Sequence, residues 1–372
     1  NDSRFAVTGG QMGYLNNTFY LVGGNLFNGR YNPMGPNNGP GFIQEYNEKI
    51  KRFKIIDNGT SLTISDYTEV IDPTNLHRRD YNMAPQIFPN GELGYTAFTG
   101  VFQPSVDLPF LNTVDITENN HQVNNTFSQY LSQYHSAKLP IYDEASNAMN
   151  TIFFGGMSQY TLDNLGNLVQ DDNVPFVKTI SKVVRYSDGS MQEIKLPIEM
   201  PTLIGSGSEF IPVTNYFSHK ILQLDSIPTE RTLVGYIYGG IESSASNIFF
   251  INDGTQSSAS NIIFKVYINK SSTGINEMKI EGNNVFNLKV FPNPTKGDLN
   301  LKFYNPSQAN LHLKVYSIKG KLVFSKTLFN IERGDNEQFI SLEKLAKGTY
   351  TLELNNSIEK TTVSILKNWL KI

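Results

Sequence analysis

Along most of the chain, apolar residues come in short runs rich in β-branched and aromatic side chains, each closed by Gly, Pro, Asn, Asp or Ser. The spacing of an amphipathic helix is nearly absent, so the pattern predicts strands and turns throughout. The clearest runs are Thr18 to Val22, Gly94 to Thr99, Thr151 to Phe154 and Leu233 to Tyr238. They stop at small-residue breaks: Gly23-Gly24, Gly100, Gly155-Gly156 and Gly239-Gly240. Arg4 to Thr8 also reads as strand, so of the two readings of the chain's start, a processed terminus or a truncation, the sequence favours truncation.

The runs repeat. Ahead of three breaks lies a short strand with a central proline, Pro85 in Met83 to Ile87, Pro140 in Lys138 to Tyr142 and Pro212 in Phe210 to Val213. Beyond two of them, Asp107-Leu108-Pro109-Phe110-Leu111-Asn112-Thr113-Val114 matches Asn173-Val174-Pro175-Phe176-Val177-Lys178-Thr179-Ile180. A recurring order of strand, glycine break, loop and Pro-Phe strand implies repeated units, roughly residues 1–72, 73–131, 132–200 and 201–275. A multi-stranded unit whose second strand ends in Gly-Gly resembles a kelch blade. The resemblance implies an all-β chain with a kelch-like β-propeller of about four blades over residues 1–275, with extra length in loops such as Asn32 to Pro40 and Thr161 to Asn173. Glycine pairs suit such a fold because neighbouring blades bring backbones close there. Glycine pairs marking hairpin turns in a β-sandwich are the alternative.

After Ser271-Ser272-Thr273-Gly274 the pattern changes, and residues 276–285 read as a linker. Three motifs follow in order: Val290-Phe291-Pro292-Asn293-Pro294-Thr295-Lys296-Gly297-Asp298-Leu299-Asn300-Leu301, then Val315 to Val323 around Lys319-Gly320-Lys321, then Leu345-Ala346-Lys347-Gly348-Thr349-Tyr350 leading into Thr351 to Leu354. Pro-Asn-Pro makes a rigid turn that launches a strand, Lys319-Gly320-Lys321 a hairpin turn, and Gly348 a tight entrance to an alternating strand. Together they predict a small β-sandwich of seven or eight strands over residues 286–372. These motifs resemble the type A C-terminal sorting domain of the Bacteroidetes type IX secretion system. The resemblance implies a secreted or outer-membrane surface protein, with the outer-membrane translocon and sortase as partners. It assigns the sorting signal to Pro292, Asn293, Pro294, Gly297, Gly320, Lys321, Gly348 and Tyr350. The end of the chain, Ile365 to Ile372, is longer and more apolar than the usual short lysine-bearing end.

Charge separates the same two regions. From residue 284 onward there are 13 basic against 7 acidic residues, which leaves 18 against 27 in the body. An acidic body is repelled by phosphate backbones, which argues against nucleic acid as its partner. With no cysteine, disulfides, thiolate metal sites, cysteine nucleophiles and the Cys-Tyr chemistry of galactose-oxidase-like propellers are excluded. No apolar run is long enough to span a bilayer, and no charged-then-apolar leader opens the sequence.

In a propeller, the segments entering each first strand converge on one mouth of the central channel. Aligning on Pro85, Pro140 and Pro212 makes Asp80, His135 and Gly207 equivalent, flanked by Arg78, Arg79, Tyr81, Tyr134 and Glu209. His77-Arg78-Arg79-Asp80-Tyr81 is the densest polar cluster in the chain. The candidate ligand-binding residues are therefore His77, Arg78, Arg79, Asp80, His135 and Glu209, a set suited to an anionic, carbohydrate or protein ligand. Arg grips carboxylates with two bonds, while Tyr and His stack on sugar faces. Salt bridges tying neighbouring blades are the plainer reading of the same residues. No nucleophile elbow, zinc-helix signature or phosphate loop appears, so no catalytic residue, cofactor or metal is assigned. Sialate mutarotases and epimerases on kelch propellers keep an enzymatic alternative open for Arg78, Arg79, His135 and Glu209. Asp171-Asp172-Asn173 suits a Ca²⁺ loop or a solvated turn.

Overall fold

The computed structural model describes residues 2–29, 41–163, 166–228, 231–248, 255–271, 274–282, 286, 288–305, 308–356 and 360–368. The loop at 32–40, part of the linker and residues 369–372 lie outside them. The chain is all-β, and no helix among the described residues is long and apolar enough to cross a membrane. It divides into two units, Asn1–Asn261 with Lys265–Ile280, and Ile262–Phe264 with Glu281–Ile372.

Among the described residues of the first unit the strands form four larger sheets in chain order, with three small ones of two, two and three strands between them. The first is β1 (Gln11–Leu15), β2 (Thr18–Val22), then, beyond a hairpin of β3 (Asn25–Gly29) and β4 (Phe42–Tyr46), β5 (Lys49–Asp57) and β6 (Leu62–Ile71). The second is an uninterrupted meander of β7 (Asn82–Ile87), β8 (Leu93–Phe98), β9 (Thr113–Ile116) and β10 (His121–Asn124). The third has β11 (Ala137–Asp143) and β12 (Ala148–Phe154), a small hairpin of β13 (Tyr160–Leu162) and β14 (Leu168–Gln170), then β15 (Thr179–Arg185) and β16 (Met191–Glu199). After β17 (Leu203–Ile204) come β18 (Ser208–Pro212), the pair β19 (Phe217–Ser218) and β20 (Ile221–Gln223), and β21 (Thr232–Gly239). Then follow β22 (Ile241–Ser243), β23 (Ser257–Ala259), β24 (Phe264–Ser271) and β25 (Gly274–Gly282). The fourth sheet runs β18-β21-β24-β25.

Successive sheets bury their faces against one another. Met83 and Ala97 of the second sheet join Tyr20, Val22 and Ile50 of the first in one cluster, while the adjacent Ala84 and Phe98 join Phe153 and Val183 of the third in another. Strand side chains alternate between faces, so the second sheet lies between its two neighbours in chain order. Phe154, next to Phe153, stacks on Phe210 of the fourth sheet at 6.3 Å. A strand covered on both faces needs an unbroken apolar run, and β12 is buried at every position.

The glycine breaks make this stacking possible. At each one, two successive residues take positive φ: Gly23 and Gly24, Thr99 and Gly100, Gly155 and Gly156, Gly239 and Gly240. Gly24 N–H then donates to Arg78 O at 2.8 Å, Gly100 N–H to Gln133 O at 3.2 Å and Gly156 N–H to Ile204 O at 2.8 Å, each time in the segment leading to the next sheet. A Cβ on Gly23 would sit 2.6 Å from Arg78 O, which no side chain allows. The repeated Pro-Phe strings both deliver a threonine, Thr113 or Thr179, to the start of the third strand of their sheets.

One local expectation, at the start of the chain, is corrected. Arg4 to Thr8 is not a strand: Ser3–Phe5 is a turn of 3-10 helix, because the Asp2 side chain accepts from Arg4 N and closes the backbone locally. The leading edge of the third sheet is paired as well. β20 pairs with β11 in parallel, Ile141 opposite Leu222, and adds β19 beyond it. The short apolar pair Ile221-Leu222 gives no sequence signal of that addition.

The second unit holds β26 (Lys289–Phe291), β27 (Asp298–Asn305), β28 (Ala309–Ser317), β29 (Leu322–Ile331), β30 (Gly334–Ser341), β31 (Gly348–Asn355) and β32 (Lys360–Lys367). One sheet is β26-β27-β30 and the other β29-β28-β31-β32. They enclose one apolar cluster that includes Leu301 and Phe303 from the first and Leu313, Leu352 and Ile365 from the second. Gly320, at φ +75, turns β28 into β29.

Candidate functional site

The polar cluster is set by the crossing from β6 to β7. Asp72 Oδ1 accepts from Thr74 N and Asn75 N, starting the turn, and buried Leu76 and Tyr81 anchor its end, the Tyr81 hydroxyl donating to Val22 O at 2.6 Å. Residues 77–80 are thereby held between the first and second sheets, and neighbouring side chains part in opposite directions.

Arg78 points inward and is fully buried. Its Nε donates to Asn75 O, Nη1 to Thr99 O at 2.7 Å and Nη2 to Asn112 Oδ1 at 3.0 Å, with the guanidinium over the Phe110 ring. Burial pulls its proton affinity down to about 10, yet it remains a cation at neutral pH, satisfied by carbonyls alone. Its place is between the sheets.

Arg79 and Asp80 turn the other way. Arg79 Nη1 meets Asp80 Oδ2, Nε donates to the Tyr46 hydroxyl at 3.2 Å, and the guanidinium lies over Phe102. Burial works against the Arg79 charge, but the surrounding Tyr134, Asp80 and Tyr46 oxygens more than offset it and raise its proton affinity. Tyr134 donates its hydroxyl to the same Asp80 oxygen at 3.2 Å. His77 stacks on Tyr46, with centroids 3.7 Å apart, and its Nδ1 lies 2.6 Å from Glu48 Oε1.

A second group adjoins the first through the backbone. His135 N–H donates to Asp80 O at 2.8 Å, and Asp80 N–H to Gly9 O at 2.7 Å, so in the second and third sheets the residue two places before the first strand is tied to its counterpart in the preceding sheet. His135 Nε2 lies 2.9 Å from Glu209 Oε1, an ion-pair distance whose direction is off line for a hydrogen bond. Lys138 Nζ is 3.8 Å from Glu209 Oε2. Burial pushes the Glu209 carboxyl up, but the adjoining imidazole and ammonium outweigh it and hold it below its ordinary value. The Lys138 ammonium is lowered by its own burial, with Glu209 opposing.

Arg79, Asp80 and His135 are thus adjoining, Glu209 meets His135, His77 stands beside Arg79 through Tyr46, and Arg78 is withdrawn. The sequence reading missed Tyr46, Glu48 and Phe102, which belong to an inserted hairpin and a loop outside the repeat. It also passed over Lys138, which stood in view as the residue before buried Leu139. Among the described residues no group of three or more His, Asp or Glu side chains is arranged to hold a metal. Asp172 Oδ1 instead accepts from Gln159 and Gln170, each at 2.7 Å, and Asp171 Oδ1 from Asn173 N, as in a solvated turn.

The motif residues of the second unit lock its last strand. Asn293 donates through Nδ2 to Ser364 O at 2.8 Å and accepts from Leu366 N through Oδ1 at 2.9 Å, as a paired strand would. Pro292 and Pro294 hold it in that turn, and a Cβ on Gly297 would press on Glu343 Cα at 2.9 Å. Lys321 N closes the hairpin of Gly320 on Ser317, Gly348 opens β31, and the Tyr350 hydroxyl donates to Ala346 O at 2.7 Å. Lys367 is buried, its three ammonium hydrogens directed to Leu342 O, Glu343 O and Leu345 O.

Comparison with known proteins agrees with that tail. Residues 289–368 match the family described as secretion system C-terminal sorting domain. Among solved structures, the chain is similar to PorZ of Porphyromonas gingivalis, described as an essential bacterial surface component of the type-IX secretion system. The identity is 9%, the TM-score is 0.18, and the match covers 96% of this chain and 65% of PorZ. So low a score is short of a common overall superposition, and the chain spans under two thirds of that protein's length. No curated protein matches. With its sorting domain at 289–368, the chain is a secreted or cell-surface protein.

Proposed function

We propose that residues 1–275 form about four blades of a kelch-like β-propeller, joined through residues 276–285 to a β-sandwich sorting domain at 286–372. The chain is recognised by the type IX outer-membrane translocon and sortase. At the surface, the propeller binds a protein or glycan partner where Arg79, Asp80, His135 and Glu209 gather. The observation that carries this reading is the relay of backbone bonds from His135 to Asp80 to Gly9, which lines up the entrances of three successive sheets. Arg79 is partly exposed and already flanked by the aromatic rings of Phe102, Tyr46 and Tyr134, a surface on which a sugar ring or a carboxylate-bearing side chain packs.

A glycan array probed with the purified chain tests it. Binding is expected to fall at least about tenfold in Arg79→Ala, whose lost charge-assisted bonds are each of order 1.5–3 kcal/mol. Unchanged array binding in both Arg79→Ala and Glu209→Ala would remove this face from the ligand site. A second reading, an enzyme acting on an acidic sugar in the manner of a sialate mutarotase or epimerase, is favoured by the close His135 and Glu209 pair beside Lys138. It expects anomer exchange of N-acetylneuraminate, followed by NMR, to accelerate with the wild-type chain and not with His135→Gln. Equal exchange rates with and without protein would end that reading.

A further inference from the structure

A cleft of about 550 Å³ opens between the rims of the second and third sheets, and none of the residues of the Arg79 and His135 groups lines it. Arg185, at the end of β15 and only 5% exposed, belongs to its lining. Nη2 donates to Asp115 Oδ1 at 2.6 Å and to Thr96 Oγ1 at 3.2 Å, and the guanidinium lies 5.1 Å from the centroid of Phe88. Its Nε is buried without a hydrogen-bond partner. The Nε is out of reach of solvent, but Nη1 is not, and among the described residues it has no hydrogen-bond partner, so its N–H groups are donors that a ligand in the cleft can satisfy.

The lining supplies the complementary groups. Asp115 spends Oδ1 on both Arg185 and the Thr96 hydroxyl at 2.6 Å, and its Oδ2 takes no hydrogen bond among the described residues. Asn120 and Asn125 accept through Oδ1, from His121 N and Asn112 Nδ2, which leaves their amide N–H groups unspent. Gln122, exposed on β10, keeps both ends of its amide. Charge then selects among ligands. The one cation is already paired, and Glu92 adds a second carboxylate at the edge, so a phosphate, sulfate or carboxylate is repelled. Hydroxyl groups both donate and accept, which this mixture of unspent donors and acceptors requires.

We infer that this cleft is a binding site for a neutral saccharide, separate from the mouth and independent of its ligand. Sugar hydroxyls accept from Arg185 Nη1 and the amides of Asn120 and Asn125, and donate to Asp115 Oδ2 and Gln122. Saturation-transfer NMR on the whole chain tests this with maltotriose, mannotriose and N-acetylchitotriose, against sialyllactose. At least one neutral trisaccharide is expected to receive transfer and sialyllactose none. Gln122 is exposed, so its variants fold: Gln122→Ala is expected to weaken binding about fivefold, the loss of one neutral hydrogen bond, and Gln122→Trp to abolish it by filling the cleft. Arg79→Ala leaves the transfer intact, which separates this site from the mouth. Absence of transfer from all three neutral sugars, transfer to sialyllactose instead, or transfer that survives Gln122→Trp overturns the inference.

Discussion

The strands of the two units bury themselves by different rules. In the sorting domain, β27 alternates: Leu299, Leu301 and Phe303 face the common core while Asp298, Lys302 and Tyr304 between them are exposed or partly so. β31 does the same with Tyr350, Leu352 and Leu354. β12 of the first unit is instead apolar or small at nearly every step and buried at all of them, because sheets lie against both of its faces. One face covered gives a period of two that can be read from a single strand. Two faces covered erase that period, and the information moves to the places where adjacent sheets touch, which are the glycine breaks.

A glycine substitution in each unit breaks the comparison where it is sharpest. Gly24 takes φ +79, and a Cβ there would meet Gly10 N at 2.6 Å and Thr8 O at 2.7 Å. Gly320 has nearly the same φ, +75, but nothing within 4 Å of the added carbon. Gly24→Val is therefore expected to lower the stability of the first unit by about 3–4 kcal/mol, from backbone strain and collision together. Gly320→Val should cost the sorting domain about 1–2 kcal/mol, from the left-handed backbone alone. Urea unfolding followed by probes specific to each unit measures both. Equal losses would mean that the close approach of the Gly24 break to the chain at Thr8 and Gly10, which enters the same sheet, contributes nothing.

The same distinction explains what could be read in advance. The strands at Thr18, Gly94, Thr151 and Leu233 and the three proline-centred strands fall where their apolar runs and breaks put them. The repeated Pro-Phe strings, expected to be strands, are instead the loops that lead into the third strands, which start only at Thr113 and Thr179. The tail motifs carried the sorting domain because each turn residue there acts within a few positions of its own strand. Side-chain direction in the polar cluster was not legible: Arg78 and Arg79 are adjacent and chemically alike, and only the turn begun by Asp72 sends one inward and the other out. Partners from insertions were equally hidden, since Tyr46 and the β19-β20 pair belong to no repeat. The long apolar end of the chain masked a lysine whose role is internal.

That lysine sharpens the comparison from the side of the tail. Lys367 ends β32 and gives its three ammonium hydrogens to three carbonyls of the segment 342–345. Its three acceptors are backbone carbonyls of the same unit, so the bonds are charge-assisted and local to it. Lys367→Met keeps the stem and removes the donors, leaving three carbonyls unsatisfied. A loss of about 2–3 kcal/mol in the sorting-domain transition is expected, with the first unit's transition unmoved. Movement of both transitions would show that the two units do not unfold independently.

The smallest expected effect belongs to the first unit and depends on pH. Glu193, on β16, accepts from Tyr130 N at 2.7 Å and Leu131 N at 3.1 Å. Burial nevertheless dominates those bonds and pushes its carboxyl up to about 8 from an ordinary 4.5. The folded chain therefore holds a proton here that the unfolded chain has released, and stability must fall as pH rises from about 4.5 to about 8, then level off. The residue as a whole is only half-buried and its carboxylate has two N–H donors, so a loss on the order of 1–2 kcal/mol across that window is expected, less than the full shift implies. Glu193→Gln retains an acceptor for the same N–H groups and has no proton to lose. Its first-unit transition should lose this part of the pH dependence between 5 and 8, whereas the sorting domain's transition keeps its own profile. If the wild-type and Glu193→Gln curves run parallel, the burial of this carboxyl between the second and third sheets does not govern its protonation.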